Sequence, residues 1–335
     1  MTAIDDDVPV DTPDTPDAVP STTRAAALAG RIADEVERAV IGKRDVVDLV
    51  LAAVLAGGHV LLEDVPGVAK TLLARSLATA CGLRFSRVQF TPDLLPSDIT
   101  GSLVLDLGTR TPAFRPGPVF TDVLLADEVN RAPAKTQAAL LEAMQEGQVT
   151  VDGDAHRLGR PFAVVATQNP IEAEGTYPLP EAQLDRFLVR IALGYPGADD
   201  ELAILRGRLA RRQPDVAVEP VVSRSTFVAV QEAVEDVHVD DALVAYALAL
   251  VRATRDEPDI AVGASPRGSL ALVTLARAWA LVRGRDYVGP DDIRALAVPT
   301  LSHRIALDDD AWMRGTLADD VVRRVIDRVP APSWS

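Results

Sequence analysis

The sequence predicts an α/β nucleotide-binding core followed by an all-helical unit, and three observations carry that expectation. Five short apolar runs alternate with helical patterns between Arg24 and about Gly194. A Gly-containing loop ending in Lys-Thr joins the first run to a helix. Beyond Tyr195-Pro196-Gly197 the strand signal fades and helical periodicity takes over. The 335 residues suit two domains, 24–195 and 196–335, and 48% hydrophobic content supplies a sizeable core.

The runs are His59–Glu63, Arg84–Phe90, Asp122–Asp127, Pro161–Thr167 and Phe187–Leu193. Nearly continuous apolar strands separated by helices indicate a five-stranded parallel sheet covered on both faces. After the third run Pro133 opens a helix, Leu140, Leu141 and Met144 share a face, and Gly147 closes it. Two hairpins are expected. One pairs 102–107 with 111–114, and the other pairs 148–151 with 155–158 across Asp152-Gly153. Helices are expected near 200–212, 225–236, 240–255, 266–283, 290–297 and 319–328. Residues 1–23 hold six Asp, four Pro and no Lys or Arg, so they read as a disordered acidic tail.

Charge and cysteine content exclude several functions. A net charge of −15 argues against a coat for nucleic acid or anionic membrane. A single Cys81, expected buried and inert, excludes an internal disulfide framework, and His59, His156, His238 and His303 lack metal-ligand spacing. No signal peptide or spanning segment is legible, so a cytoplasmic protein is expected.

The chemistry concentrates at strand ends. Glu63-Asp-Val-Pro-Gly-Val-Ala-Lys-Thr71 follows the first strand and precedes a helix, the context of a phosphate-binding loop. Asp64, Val65, Pro66, Gly67, Val68, Ala69, Lys70, Thr71 and Leu72 form the candidate nucleotide cradle; Lys70 would reach the β- and γ-phosphates and Thr71 would hold Mg²⁺. Asp64 and Ala69 stand where the usual pattern has Gly. Val123-Leu-Leu-Ala-Asp-Glu128 ends an apolar strand in two carboxylates, Asp127 for the Mg²⁺ shell and Glu128 to polarise a water. Thr167-Gln168-Asn169-Pro170 ends the fourth strand, with an amide placed to orient that water or simply to make an Asn-Pro turn. Arg131 either senses a neighbouring subunit or caps the next helix.

Together with Arg87-Val-Gln-Phe-Thr-Pro-Asp-Leu-Leu-Pro-Ser-Asp-Ile-Thr-Gly101, the segments ADEVNRAPAKTQAALLEAMQEGQVTVDG and ATQNPIEAEGTYPLPEAQLDRF closely resemble the MoxR family of AAA+ ATPases, over roughly residues 35–330. The resemblance implies an AAA+ fold with a helical lid, ATP and Mg²⁺ as ligands, and a chaperone-like motor assembling as a hexameric ring. It also implies a von Willebrand factor A domain partner, in remodelling, maturation or metal loading of client proteins. By the same resemblance Ile41 and Gly42 pack against adenine, Asn169 is the first sensor, Arg186 is the arginine finger and Arg267 is the second sensor. Ser265 and Pro266 independently place Arg267 in the first turn of a helix, where a cation opposes the dipole and faces an anion more comfortably. The hairpins face a ring pore or partner, or merely decorate the sheet edge. Two rival functions remain, a non-hydrolysing nucleotide-dependent scaffold and a DNA-remodelling subunit; acidity and the lack of a DNA-binding motif disfavour the second.

Overall fold

Chain order and strand order differ, and that difference builds the site. The computed structural model describes residues 18–106, 108, 110–169, 177–213 and 215–332. Helix α1 (Thr22–Ala39) starts under a Ser21 cap, whose Oγ accepts from the Arg24 amide at 3.4 Å. The expected acidic tail therefore gives way to helix at Thr22, because Ser21 satisfies an otherwise open amide. Its first 17 residues lie outside the described residues.

After α2 (Arg44–Leu55) come β1 (Val60–Glu63), α3 (Lys70–Ala80), β2 (Phe85–Gln89) and the short α4 (Pro96–Thr100). A hairpin of β3 (Gly101–Leu105) and β4 (Pro112–Pro116) follows, then β5 (Val123–Asp127) and α5 (Ala134–Glu146). The second hairpin is β6 (Gln148–Val151) with β7 (Asp154–Arg157). Its turn takes left-handed φ values of 50° at Asp152 and 91° at Gly153, the twist that suits a tight two-residue connection. The core closes with β8 (Ala163–Gln168), α6 (Glu181–Leu184) and β9 (Val189–Ile191).

The five predicted strands form one parallel sheet in the order β2-β5-β8-β1-β9. Alternation divides the core between its faces. Val60, Leu62, Val123, Leu125, Ala163 and Val165 join one hydrophobic cluster; Leu61, Leu124, Ala126, Val164 and Ala166 join the other with α5.

The remainder is α7 (Ala198–Arg211), α8 (Arg224–Ala233), α9 (Asp241–Ala253), β10 (Ile260–Val262), α10 (Pro266–Val282), α11 (Pro290–Leu301), β11 (Ala306–Leu307), α12 (Asp309–Met313) and α13 (Ala318–Arg328). The expectation of an all-helical unit is corrected by the antiparallel β10–β11 ribbon, too short for periodicity to reveal. Helices α8 to α11 and α13 share the hydrophobic cluster of α1 and α2, so the lid packs on the body through a continuous core. Asp122, fully buried, fastens the two further by ion pairs with Arg84 at 3.2 Å and with Arg224 of α8 at 3.1 Å. Cys81 is buried, and burial raises its thiol pKa, as an inert thiol requires. Among the described residues no helix is long and apolar enough to cross a membrane, and no cluster of His, Cys, Asp or Glu could hold a metal.

Candidate nucleotide site

Parallel strands end level, so the residues that follow β1, β5 and β8 converge at one edge of the sheet, the usual place for a ligand in such folds. Gln89 pairs in register with Asp127, and Glu63 with Gln168.

The loop after β1 turns through Gly67 at φ 85° and Ala69 at φ 65°. Ala69 replaces glycine in a left-handed position and stores some strain there. Helix α3 begins at Lys70 with no side-chain cap, so its first-turn amides and dipole present an anion-binding end. The Lys70 ammonium donates to the Asp64 carbonyl at 2.6 Å and lies 3.5 Å from the Gln168 carbonyl. Burial lowers its pKa, and the charges of Asp64, Asp127, Glu128 and Glu63 oppose that shift. Thr71 and Leu72 follow in the first turn of α3.

Asp64, out of pattern in the sequence, has a structural task. Its carboxylate accepts from the Val65 amide at 2.8 Å and the Gly194 amide at 2.5 Å, tying the loop to the connector beyond β9. That connector also meets the adenine candidates. Gly42, at φ 72°, lies so close to the Asp200 carboxylate that a Cβ would stand 2.2 Å from it, and Lys43 donates to the Tyr195 carbonyl at 2.8 Å. Ile41 precedes this contact in the turn between α1 and α2.

The acidic pair is held by residues that lie inside the quoted motifs but had no role assigned to them. Thr167 Oγ1 donates to Asp127 Oδ1 at 2.6 Å and accepts from the Glu128 amide at 2.8 Å. Arg87 donates to Asp127 Oδ2 at 2.7 Å, and Gln89 donates to Glu128 Oε2 at 2.8 Å. Both sit on β2 two residues apart, which puts them on one face; that alternation beside the acidic strand was the available signal. Arg131 donates to Glu128 Oε2 at 2.9 Å, a local ion pair at the acidic pair itself. Glu128 itself is left-handed at φ 56°, a strained conformation that suits a functional position. Asn169 is buried immediately after β8.

The two candidate arginines are held by α5 and by the segment before β9. Arg186 donates to the Leu141 carbonyl of α5 at 2.6 Å. Arg267, in the first turn of α10 beneath the Ser265 cap, is 3.7 Å from the Asp185 carboxylate. Asp185 also pairs at 2.9 Å with the buried Arg304, whose guanidinium donates to the carbonyls of Phe187 and Leu188 as well. Burial drops the Arg304 pKa to about 10, against the pull of Asp185. Sequence reasoning missed Arg304; a Ser-His-Arg run after a helix carries no signature. The lid thus grips the 185–188 segment, and Arg186 and Arg267 share that edge of the molecule.

An uncapped helix N-terminus, a half-buried ammonium and a carboxylate pair fit a Mg-nucleotide triphosphate. Lys70 and the α3 amides would hold phosphates, Thr71 and Asp127 would hold Mg²⁺, and Glu128 would take a proton from water.

The chain is similar to known proteins along most of its length. Residues 59–189 match the ATPase family associated with various cellular activities, and residues 252–325 match the AAA lid domain. The chain is 50% identical to YeaC of Bacillus subtilis, over 91% of this chain and 95% of that one. It is 44% identical to Chaperone MoxR1 of Mycobacterium tuberculosis, over 89% and 81% respectively. A crystal structure from Cytophaga hutchinsonii described as an ATPase superposes with a TM-score of 0.86 at 39% identity, covering 93% of this chain and 97% of its own.

Proposed function

The chain belongs to the MoxR family of AAA+ ATPases, and from that premise we propose that it hydrolyses Mg-ATP as a chaperone-like, ring-forming motor. One observation carries the reading: Lys70 and the open start of α3 face Asp127 and Glu128, with Thr167 bracing the Asp127 carboxylate and the Glu128 backbone amide. Bound Mg²⁺ would neutralise phosphate charge and fix the triphosphate for in-line attack.

Lys70 draws the β- and γ-phosphates and Thr71 and Asp127 provide the metal's protein oxygens. Glu128, released from Gln89 and Arg131, accepts a proton from the attacking water, and Asn169 orients that water. Ile41 and Gly42 flank the base beside the 194–200 connector, and the loop from Asp64 to Ala69 cradles the phosphates. Arg186 and Arg267 serve the site of the neighbouring subunit, Arg186 as the finger. Arg186 bonds the Leu141 carbonyl of α5 and Arg267 pairs with the adjoining Asp185, which sets both on one stretch of chain and supports this assignment. The ring is hexameric and cytoplasmic, and works with a von Willebrand factor A domain protein on client proteins.

Mg-ATP turnover per subunit tests the reading, measured against concentration with sizing of the same samples and Glu128→Gln as blank. A rate that rises with assembly and vanishes in Glu128→Gln is expected. Tight ATP binding with no turnover above the blank, in assembled protein, would instead favour the scaffold. Arg186→Ala mixed with Lys70→Ala should regain turnover, since each supplies what the other lacks; no regain in a verified mixed ring would reject the shared site.

A further inference from the structure

The nucleotide residues gather where the parallel strands end, and a second depression opens where they begin. It is a cleft of about 730 Å³ that reaches His59 and Phe162, the residues leading into β1 and β8. Helix α8 runs along one wall. Val228, Gln231, Glu232 and the following Glu235 line the cleft, and Arg224 lies on the same face one turn before Val228. The opposite wall is the end of α5 at Glu146 and the exit of the second hairpin from Arg157 to Phe162.

The two ends of the cleft carry opposite charge. At the start of α8, Arg224 donates to the Arg160 carbonyl at 2.6 Å. Arg157 and Arg160 are exposed and line the cleft, and among the described residues neither forms an ion pair. At the far end Gln231 donates to the Val54 carbonyl at 2.7 Å, which fixes α8 where α2 stops. The last carbonyls of α2 bring the negative end of its dipole there. Glu232 is exposed and forms no ion pair among the described residues, whereas Glu235 pairs with Arg277 at 2.6 Å. Glu146 faces this end from α5, whose Met144 carbonyl meets His59 at 3.1 Å, and it too is exposed. From the Arg224 level to Glu232 is about 12 Å along the helix axis. Leu158, Phe162 and Val228 make the ground between the ends apolar.

We infer that this cleft receives an extended segment of a partner protein, with an acidic side chain against Arg157 and Arg160 and a basic one against Glu146 and Glu232. Four residues of strand span about 13 Å, close to the charge separation, and residues i, i+2 and i+4 face one way. The segment therefore carries acid and base four apart, with an apolar residue midway over Phe162 and Val228. A nucleotide or other polyanion would bring its charge against the glutamates, and a wholly basic peptide would bring its charge against the arginines. Only a segment with both charges satisfies both ends. The docking stands apart from the nucleotide reading, because cleft and phosphate loop occupy opposite edges of the sheet.

The test uses the full chain without nucleotide, and fluorescein-labelled peptides read by anisotropy. Glu-Ser-Leu-Ser-Lys and the reversed Lys-Ser-Leu-Ser-Glu represent the two chain directions. Glu-Ser-Leu-Ser-Glu and Lys-Ser-Leu-Ser-Lys are the like-charge controls. One mixed peptide should bind at least about tenfold tighter than either control, the effect of losing one charge-assisted bond. Arg157→Glu with Arg160→Glu should abolish that preference and make the doubly basic peptide the tightest ligand. Both side chains are exposed, so Tm should stay within about 2 °C of wild type. Val228→Trp should block every peptide without altering charge, and Lys70→Ala should leave peptide binding unchanged. Equal binding of mixed and like-charge peptides, no binding up to millimolar concentration, or indifference to the arginine reversal would each overturn the docking. So would tighter binding of inorganic triphosphate than of any peptide by the Lys70→Ala protein, which would mark an anion site instead.

Discussion

Thr167 is the test of whether the acidic pair is held by the structure or merely adjacent in sequence. Its hydroxyl is buried and makes two bonds at once, donating to Asp127 at 2.6 Å and accepting from the Glu128 amide at 2.8 Å. Thr167→Val keeps the branched shape and removes only that oxygen. The loss combines a hydrogen bond to a charged group, about 1.5–3 kcal/mol, with a backbone amide left without an acceptor, about 1–3 kcal/mol. Water reaches the half-buried carboxylates and recovers part of this, leaving about 2–4 kcal/mol. At about 2 °C per kcal/mol for a chain of this size, Tm should fall by about 4–8 °C in the absence of nucleotide. Asp127 freed from Thr167 remains paired with Arg87, so affinity for Mg-ATP should fall by about tenfold, equivalent to one lost oriented bond. Thr167→Ser, which keeps the hydroxyl, should preserve most of the Mg-ATP affinity. Differential scanning calorimetry and titration calorimetry supply the two readouts. A Thr167→Val protein with Tm within about 1 °C of wild type and unchanged affinity would refute the bracing role.

His59 predicts an acid-sensitive fold. It accepts from the Val164 amide through Nδ1 and meets the Met144 carbonyl through Nε2, and burial lowers its pKa to about 4. The unfolded chain takes the proton near pH 6.5 and the folded one only near 4, so stability is lost as pH falls through that window, by up to about 3 kcal/mol. His303, also buried and lowered, adds to the slope; Tm against pH should flatten partly in His59→Gln, and an identical slope would reject the assignment. Ala69→Gly should raise Tm slightly and keep ATP binding, because relief of about 1–2 kcal/mol of left-handed strain exceeds the added chain entropy of about 0.4–1 kcal/mol; a clear fall in Tm would contradict that sign. Arg304→Met should lower stability by about 2–4 kcal/mol, measured by urea unfolding, as Asp185 and several carbonyls lose their buried donor. A change below about 0.5 kcal/mol would show that the lid grips the 185–188 segment by other means.

Local pattern was enough to place the strands, because a sheet covered on both faces demands unbroken apolar runs such as Val123–Ala126 and Ala163–Ala166. It also determined the loop from Asp64 to Thr71 and the Asp127–Glu128 pair, since local chain geometry alone sets a strand–loop–helix turn and a strand end. The ribbon of β10 and β11 was invisible because it spans five residues in two pieces far apart in the chain. Only the tertiary structure could bring Arg87 and Gln89 to the acidic pair, since strand order, not sequence order, makes β2 the neighbour of β5. It likewise turned Asp64 from an irregular spelling into a tie to Gly194, 130 residues away. Pairing partners across such distances are chosen by packing of the whole sheet and lid, and no local pattern encodes them. For the same reason Arg304 drew no attention in the sequence: its burial against Asp185 exists only once the lid has docked on the body.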